Sequence, residues 1–263
     1  MTTVAEIREY LNTLAPEQTA ESWDHVGLLL GAPQKEVSTI LVALDPFENI
    51  AQEAVEVGAD VLLTHHPLIF DPLNAITTDT ALGRAIFTLI QNGIAAINAH
   101  TNLDVAAHGV NQELARTLGL QSIRVLDPIG IDANGESYGL LRMGEVDEQP
   151  LPEFLAQVKQ KLGCAGLRYC DGGRPVHRVA VGGGSCASEL EIAARAGCDT
   201  FVTADVRYNR FRDAADLAIH LIDAGHFATE VPICAVLQQK LAEQFPNVRV
   251  LLSKKQKDVT NFF

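Results

Sequence analysis

The stretch GADVLLTHH at residues 58–66 is echoed by GCDTFVTAD at residues 197–205, with Gly, Asp and Thr in register. A second pair, INAHTNLD (97–104) and DAGHFATE (223–230), shares a histidine followed four residues later by an acid: His100 with Asp104, His226 with Glu230. An internal echo of this kind constrains a chain to build the same supersecondary unit more than once.

That unit reads as strand–helix–strand. STILVALD (38–45) is apolar and rich in β-branched residues, the pattern of a buried strand. Pro46 opens a helix through FENIAQEAVEVGAD that Gly58 closes, and VLLTHH (61–66) is the next strand, stopped by Pro67. A helix over 80–92, a strand over 94–100 and a helix around 110–118 follow. The second half alternates in the same way: strand 176–184, helix 188–199, strand 200–205, helix 209–218, strand 218–226, helix 232–243. An amphipathic helix over 4–14 places Ile7, Leu11 and Leu14 on one face. The region holding Trp23, Asp24 and Gly27 reads as loop; the connecting region 127–175 is rich in Gly, Pro and charge, and DPIGIDANGE (127–136) within it reads as loop and hairpin. The expected fold class is α/β with parallel sheets, in two related lobes spanning 1–126 and 127–263.

Composition narrows the setting. A formal charge of -13 opposes non-specific nucleic-acid binding, which needs cations to displace phosphate counterions. No stretch approaches the roughly 20 apolar residues of a membrane span, and MTTVAEIREYLNTL lacks the basic start and apolar run of a signal peptide. The 5 cysteines form no Cys-x-x-Cys pair, which fits reduced thiols. A cytoplasmic protein with neither membrane nor nucleic acid as partner is the expectation.

His65-His66-Pro67 is the sharpest chemical feature. Adjacent side chains on a regular strand point to opposite faces, but at a strand's C-terminal end both can aim into a cleft, where parallel sheets place their ligands. His226 and Glu230, four apart, lie on one face of a helical turn and suit a metal ion; alone, such a spacing equally suits an acid at a helix N-terminus. Gly182-Gly183-Gly184-Ser185 satisfies G-x-G-x-x-A with Ala187 and admits a phosphate-binding reading beside that of a tight turn. The turn is expected to lie near the metal cleft, with positive φ at Gly183 or Gly184. His25, His108, His177 and His220 are unclustered and read as surface or packing residues. No G-x-S-x-G elbow marks a serine hydrolase.

The segments SWDHVGLLLG (22–31), GADVLLTHHPLIF (58–70), INAHTNLDVAAHGVNQELA (97–115), VAVGGGS (179–185), TFVTADVRYN (200–209) and DAGHFATEVP (223–232) resemble the Nif-three-like family, whose members are labelled GTP cyclohydrolase type 2 homologs. The chain resembles the short form, without an inserted middle domain. It departs from the family pattern at His25, Ala204 and Asn209, where Asn, Gly and His are usual. The resemblance implies a dinuclear metal site in the cleft between the lobes, with His65, His66, Asp104, His226 and Glu230 as ligands. His100 would stand beside the ions as the candidate catalytic acid–base. This donor mixture admits Zn, Mn, Fe or Ni. The resemblance further implies a homo-oligomer, a ring-shaped hexamer, and a hydrolase acting on a nucleotide or phosphate-bearing small molecule. A non-enzymatic metal carrier or a metal-dependent scaffold for protein partners would use the same ligands, and dinucleotide binding rests on the glycine turn alone.

Overall fold

Thr3 and Glu6 cap the first helix reciprocally, each side chain bonding the other's backbone N–H, and the helix runs Val4–Leu14 as its periodicity predicts. The strands Thr39–Ala43, Val61–Thr64 and Ala95–Asn98 are buried along their whole length, which is why they read as unbroken apolar runs. In this computed structural model, which describes residues 1–263, the chain divides into two compact units. One comprises Met1–Leu103 with Cys234–Lys257, the other Asp104–Ile233 with Asp258–Phe263. No helix is long and apolar enough to cross a membrane.

The first unit is built on a five-stranded sheet in the order Gly27–Leu30, Ala95–Asn98, Val61–Thr64, Thr39–Ala43, Arg249–Leu252. Its last four strands are parallel and its first is antiparallel. The helices Glu48–Glu56 and Ala81–Gln91 bury Ile50, Ala54, Ile86 and Leu89 with Leu41 and Leu62 of the sheet.

The second unit carries a six-stranded sheet in the order Gln121–Leu126, Leu141–Gln149, Val176–Val181, Thr200–Thr203, His220–Asp223, Arg168–Cys170. Only Val176–Val181, Thr200–Thr203 and His220–Asp223 run parallel to one another. On one face Phe154 and Val158 pack with Val179, Val202 and Ile222; on the other, Leu190 and Ala193 pack with Ala180, Phe201 and Leu221.

The parallel strands that the strand–helix–strand grammar predicts are present in both sheets, and antiparallel strands beside them make both sheets mixed. In the connecting region 127–175, DPIGIDANGE (127–136) folds as its loop-and-hairpin reading has it. The hairpin pairs Gly130–Ile131 with Ser137–Tyr138, and it is followed by the strand Leu141–Gln149, the helix Leu151–Leu162 and the strand Arg168–Cys170. That helix buries Leu151, Phe154, Val158 and Leu162 at helical spacing and ends on Gly163 at φ 64.

The sequence echo corresponds to a duplicated hydrogen-bond scheme, one copy in each unit. Asp60 N donates to Thr39 O and Asp60 O accepts from Ala95 N; Asp199 N donates to Arg178 O and Asp199 O accepts from His220 N. Each aspartate also uses its carboxylate to receive the start of the preceding strand: Ser38 N and Thr39 N on Asp60 Oδ2 (2.8 and 3.1 Å), His177 N and Arg178 N on Asp199 Oδ2 (3.1 and 2.6 Å). Strand register then corrects the second echo by one residue. Thr64 pairs with Asn98 and Thr203 with Asp223, so His100 occupies the position of Gly225, not of His226. The short helices Thr101–Val105 and His226–Glu230 begin at matching positions, and Asp104 matches Thr229.

Candidate metal centre

In the first unit the strand Val61–Thr64 stops before the histidine pair. Thr64 Oγ1 donates to His66 O (2.7 Å), bending the chain off the strand direction, and Pro67 follows. Freed from strand alternation, the rings of His65 and His66 come within 4.9 Å, tilted by 45°. Ala99 O accepts from His65 Nδ1 (2.8 Å), and Asp45 Oδ1 accepts from His66 Nδ1 (2.7 Å). A carbonyl or carboxylate only accepts, so each Nδ1 carries the proton and Nε2 holds the lone pair. His100 is oriented in the same way, its Nδ1 donating to Asp24 Oδ2 at 3.0 Å. His65, His66 and His100 offer ligand atoms that all lie within 4.8 Å of one another.

Asp24 is held as a carboxylate. Burial pushes its carboxyl up, but hydrogen bonds from His100 and Thr101 outweigh burial and bring it down to about 2. Trp23 and Phe70 edge the same histidine, with ring centroids 6.2 and 6.3 Å from His100.

In the second unit Gly225, at φ 87, turns the chain from the strand His220–Asp223 into the helix His226–Glu230. His226 Nδ1 donates to Asp205 Oδ2 at 2.7 Å, and His226 Nε2 faces Glu230 Oε2 at 3.0 Å. A lone-pair nitrogen and a carboxylate oxygen at that separation share either a proton or a cation. Glu230 is buried, and the glycine turn makes room for it. Gly184 has φ +60, and a Cβ there would overlap Glu230 Oε1 and sit 3.2 Å from His226 Nε2. Thr229 Oγ1 accepts from Gly184 N (3.0 Å), fixing the turn on the short helix.

The positive φ expected at Gly183 or Gly184 thus falls at Gly184, and the turn lies against Glu230 and His226. An anion placed on this turn would meet the Glu230 carboxylate, which argues against the phosphate and dinucleotide readings. The chain beyond it enters a 3-10 turn, Ala187–Glu189, and only a six-residue helix, Leu190–Arg195.

Asp104 sits in the helix Thr101–Val105, and its main chain is tied to the same turn. Asn111 Nδ2 donates to Asp104 O (3.2 Å), and Asn111 Oδ1 accepts from Gly183 N (2.6 Å). The buried guanidinium of Arg142 donates to Ala106 O (2.6 Å) and Gly139 O (2.6 Å). Burial lowers it to about 10, so it remains a cation at neutral pH. Cys186 is kept a thiol: burial, then the charges of Asp104, Glu230 and Glu189, raise it well above its ordinary value.

The donor set fits divalent cations. It offers imidazole Nε2 atoms each backed by an oxygen on Nδ1, the Glu230 carboxylate in space kept by Gly184, and no thiolate. The sequence does not place Asp45 or Asp205 beside the ligand candidates that they back. His108, His177 and His220 have structural partners in Glu136, Val146 O and Arg174 O, as unclustered histidines should.

The sequence profile of the Duf34/NIF3 (NGG1p interacting factor 3) family matches residues 2–259. A Clostridium perfringens relative named GTP cyclohydrolase 1 type 2 homolog is 34% identical over 260 residues, covering 98% of each chain. A Streptomyces coelicolor protein of the same name is 40% identical over 249 residues, 92% of this chain and 87% of its own. Among solved structures, a Bacillus cereus protein related to NIF3 superposes with a TM-score of 0.94 at 28% identity, over 100% of this chain and 99% of that one. A Staphylococcus aureus hypothetical protein does so at 0.92 and 31% identity, covering 99% of both.

Proposed function

Because this chain belongs to the Duf34/NIF3 family, we propose that it holds a pair of divalent metal ions through His65, His66, Asp104, His226 and Glu230 and uses them to hydrolyse a nucleotide or other phosphate-bearing small molecule. The observation that carries this reading is the shared orientation of His65, His66 and His226, each with Nδ1 donating to an oxygen, the arrangement that puts the lone pair on Nε2 as in a metal-ligating imidazole. The name borne by the Clostridium and Streptomyces relatives points the substrate toward a nucleotide.

The ions, when bound, would lower the pKa of a coordinated water and polarise the bond to be cleaved. His100, locked on the Asp24 carboxylate through Nδ1, presents Nε2 to take up or deliver a proton. Gly184 keeps the space into which Glu230 extends. By the same family resemblance, the copies are proposed to assemble as a ring-shaped hexamer, which size-exclusion chromatography with light scattering would measure directly.

Elemental analysis and native mass spectrometry, with Zn, Mn, Fe or Ni restored in turn, test the centre. About two ions per chain are expected, with Glu230→Ala and His66→Ala losing metal. A plateau at one ion, unchanged by His66→Ala, overturns the dinuclear reading. His100→Ala should keep both ions and lose roughly 100-fold in turnover on a nucleotide and phosphoester panel. A loaded protein that turns over nothing on that panel is a carrier or scaffold instead.

A further inference from the structure

Trp23 and Phe70 come from separate segments of the first unit and meet beside His100. Their ring centroids lie 5.7 Å apart, with the planes tilted by 44°. Both rings stand steeply to the imidazole plane, at 75° for Trp23 and 69° for Phe70, so neither is stacked on the histidine. Trp23 is 53% exposed and Phe70 54%. An aromatic residue placed for stability hides that area, because its ring is a large apolar payload.

Both rings are nevertheless carried on tethered backbone. Asp24 Oδ2 accepts from Thr101 N (3.1 Å) and Thr101 Oγ1 (2.6 Å) as well as from His100, and Glu21 N donates to Thr101 Oγ1 (3.0 Å). The chain on both sides of Trp23 is thereby tied to the helix Thr101–Val105. Phe70 follows Pro67 and Leu68, and Leu68 is buried in the core of the first unit. Two half-exposed rings on fixed backbone make a preorganised apolar surface that loses little conformational freedom when it is covered. A protein partner seated on these rings would shut His100 off from substrate. A flat heterocycle lying on them would instead be delivered to it.

We propose that Trp23 and Phe70 are the platform on which the base of a nucleotide substrate stacks beside His100. This role rests on the nucleotide reading given above. Stacking uses the π-face that every base has, so the platform orients a base without selecting among bases.

The chain contains one tryptophan, so its intrinsic fluorescence reports on Trp23 alone. Guanosine monophosphate and ribose 5-phosphate, which carry the same phosphate with and without a base, are titrated into the metal-loaded full chain. Calorimetry reads affinity and native mass spectrometry counts the ions. The nucleotide should quench Trp23 emission to a plateau, and the sugar phosphate should leave it unchanged. Trp23→Ala, and Phe70→Ala with the reporter intact, should each weaken the nucleotide about tenfold or more. Ribose 5-phosphate affinity and the ion count should stay as in the wild type, and Trp23→Phe should keep most of the nucleotide affinity. The wild-type quenching decides the matter even where an alanine variant fails to fold. Nucleotide affinity without quenching, or no tighter than that of ribose 5-phosphate, overturns the proposal while a full ion count leaves the metal centre standing. Should the wild type hold no ions, which is the failure of the metal reading, quenching of the metal-free chain by guanosine still decides the platform. Emission already blue-shifted and shielded from iodide before any ligand is added would place Trp23 in a contact between copies, and this too overturns the proposal.

Discussion

Gly184 makes the sharpest demand on a single residue, because its φ of +60 and its contact with Glu230 both exclude a side chain. Gly184→Ala is expected to destabilise the fold by about 1–3 kcal/mol and to displace Glu230. A thermal melt and a metal titration read the two effects, and an unchanged metal affinity would separate Glu230 from the turn. Asp24 sets an acid limit. Its folded pKa of about 2 lies below its ordinary 3.8, so it contributes stability above 3.8, lost as pH falls from there toward 2. Asp24→Asn should therefore be less stable than the wild type at neutral pH, with the difference closing below pH 3.8 in acid-dependent melts. The histidines and acids of the candidate centre stand out in the sequence as clusters at strand ends, and the family resemblance is what marks five of them as ligands. The oxygens that orient them do not stand out. Asp45 lies 21 residues from His66, Asp205 lies 21 from His226, and Ala99 lies 34 from His65, and only folding joins such pairs.

At the level of elements, Asp60 and Asp199 each join three strands by accepting at the start of one, donating to it and receiving the next. Asp199 is the more buried, and its carboxylate also accepts from Thr200 Oγ1. Asp199→Ala should cost about 1–3 kcal/mol by leaving buried N–H groups of the sheet unsatisfied, and Asp60→Ala less. Equal losses in denaturant melts would show that burial does not set the difference. These joints were visible in sequence only as Gly-x-Asp ahead of a strand. The parallel core strands were legible because burial on both faces makes them uniformly apolar. The strands Gln121–Leu126 and Arg168–Cys170 are largely exposed and alternate weakly, so no strand pattern shows there in the sequence. The one-residue offset between the two His/acid pairs was also hidden, since spacing within each pair is identical and only strand register reveals it.

Across the whole molecule, chain order and unit membership part company. Residues 234–257 return to the first unit after the second has been traced. The strand Arg249–Leu252 adds in parallel to Thr39–Ala43, and the buried Glu53 carboxylate receives Ser253 Oγ together with Lys254 N (2.8 Å) and Lys255 N (3.3 Å). Ending the chain after Gln244 should therefore leave a fully buried strand as a bare edge and Glu53 without donors. The truncated chain is expected in the insoluble fraction, and soluble recovery with an unchanged melting temperature would count against this account. The same arrangement has a consequence during translation. At about 5–20 residues per second, roughly seven to thirty seconds separate emergence of Leu103 from that of Arg249. Within that interval almost all of the second unit emerges and becomes able to fold, while the first sheet waits with an open apolar edge for its final strand.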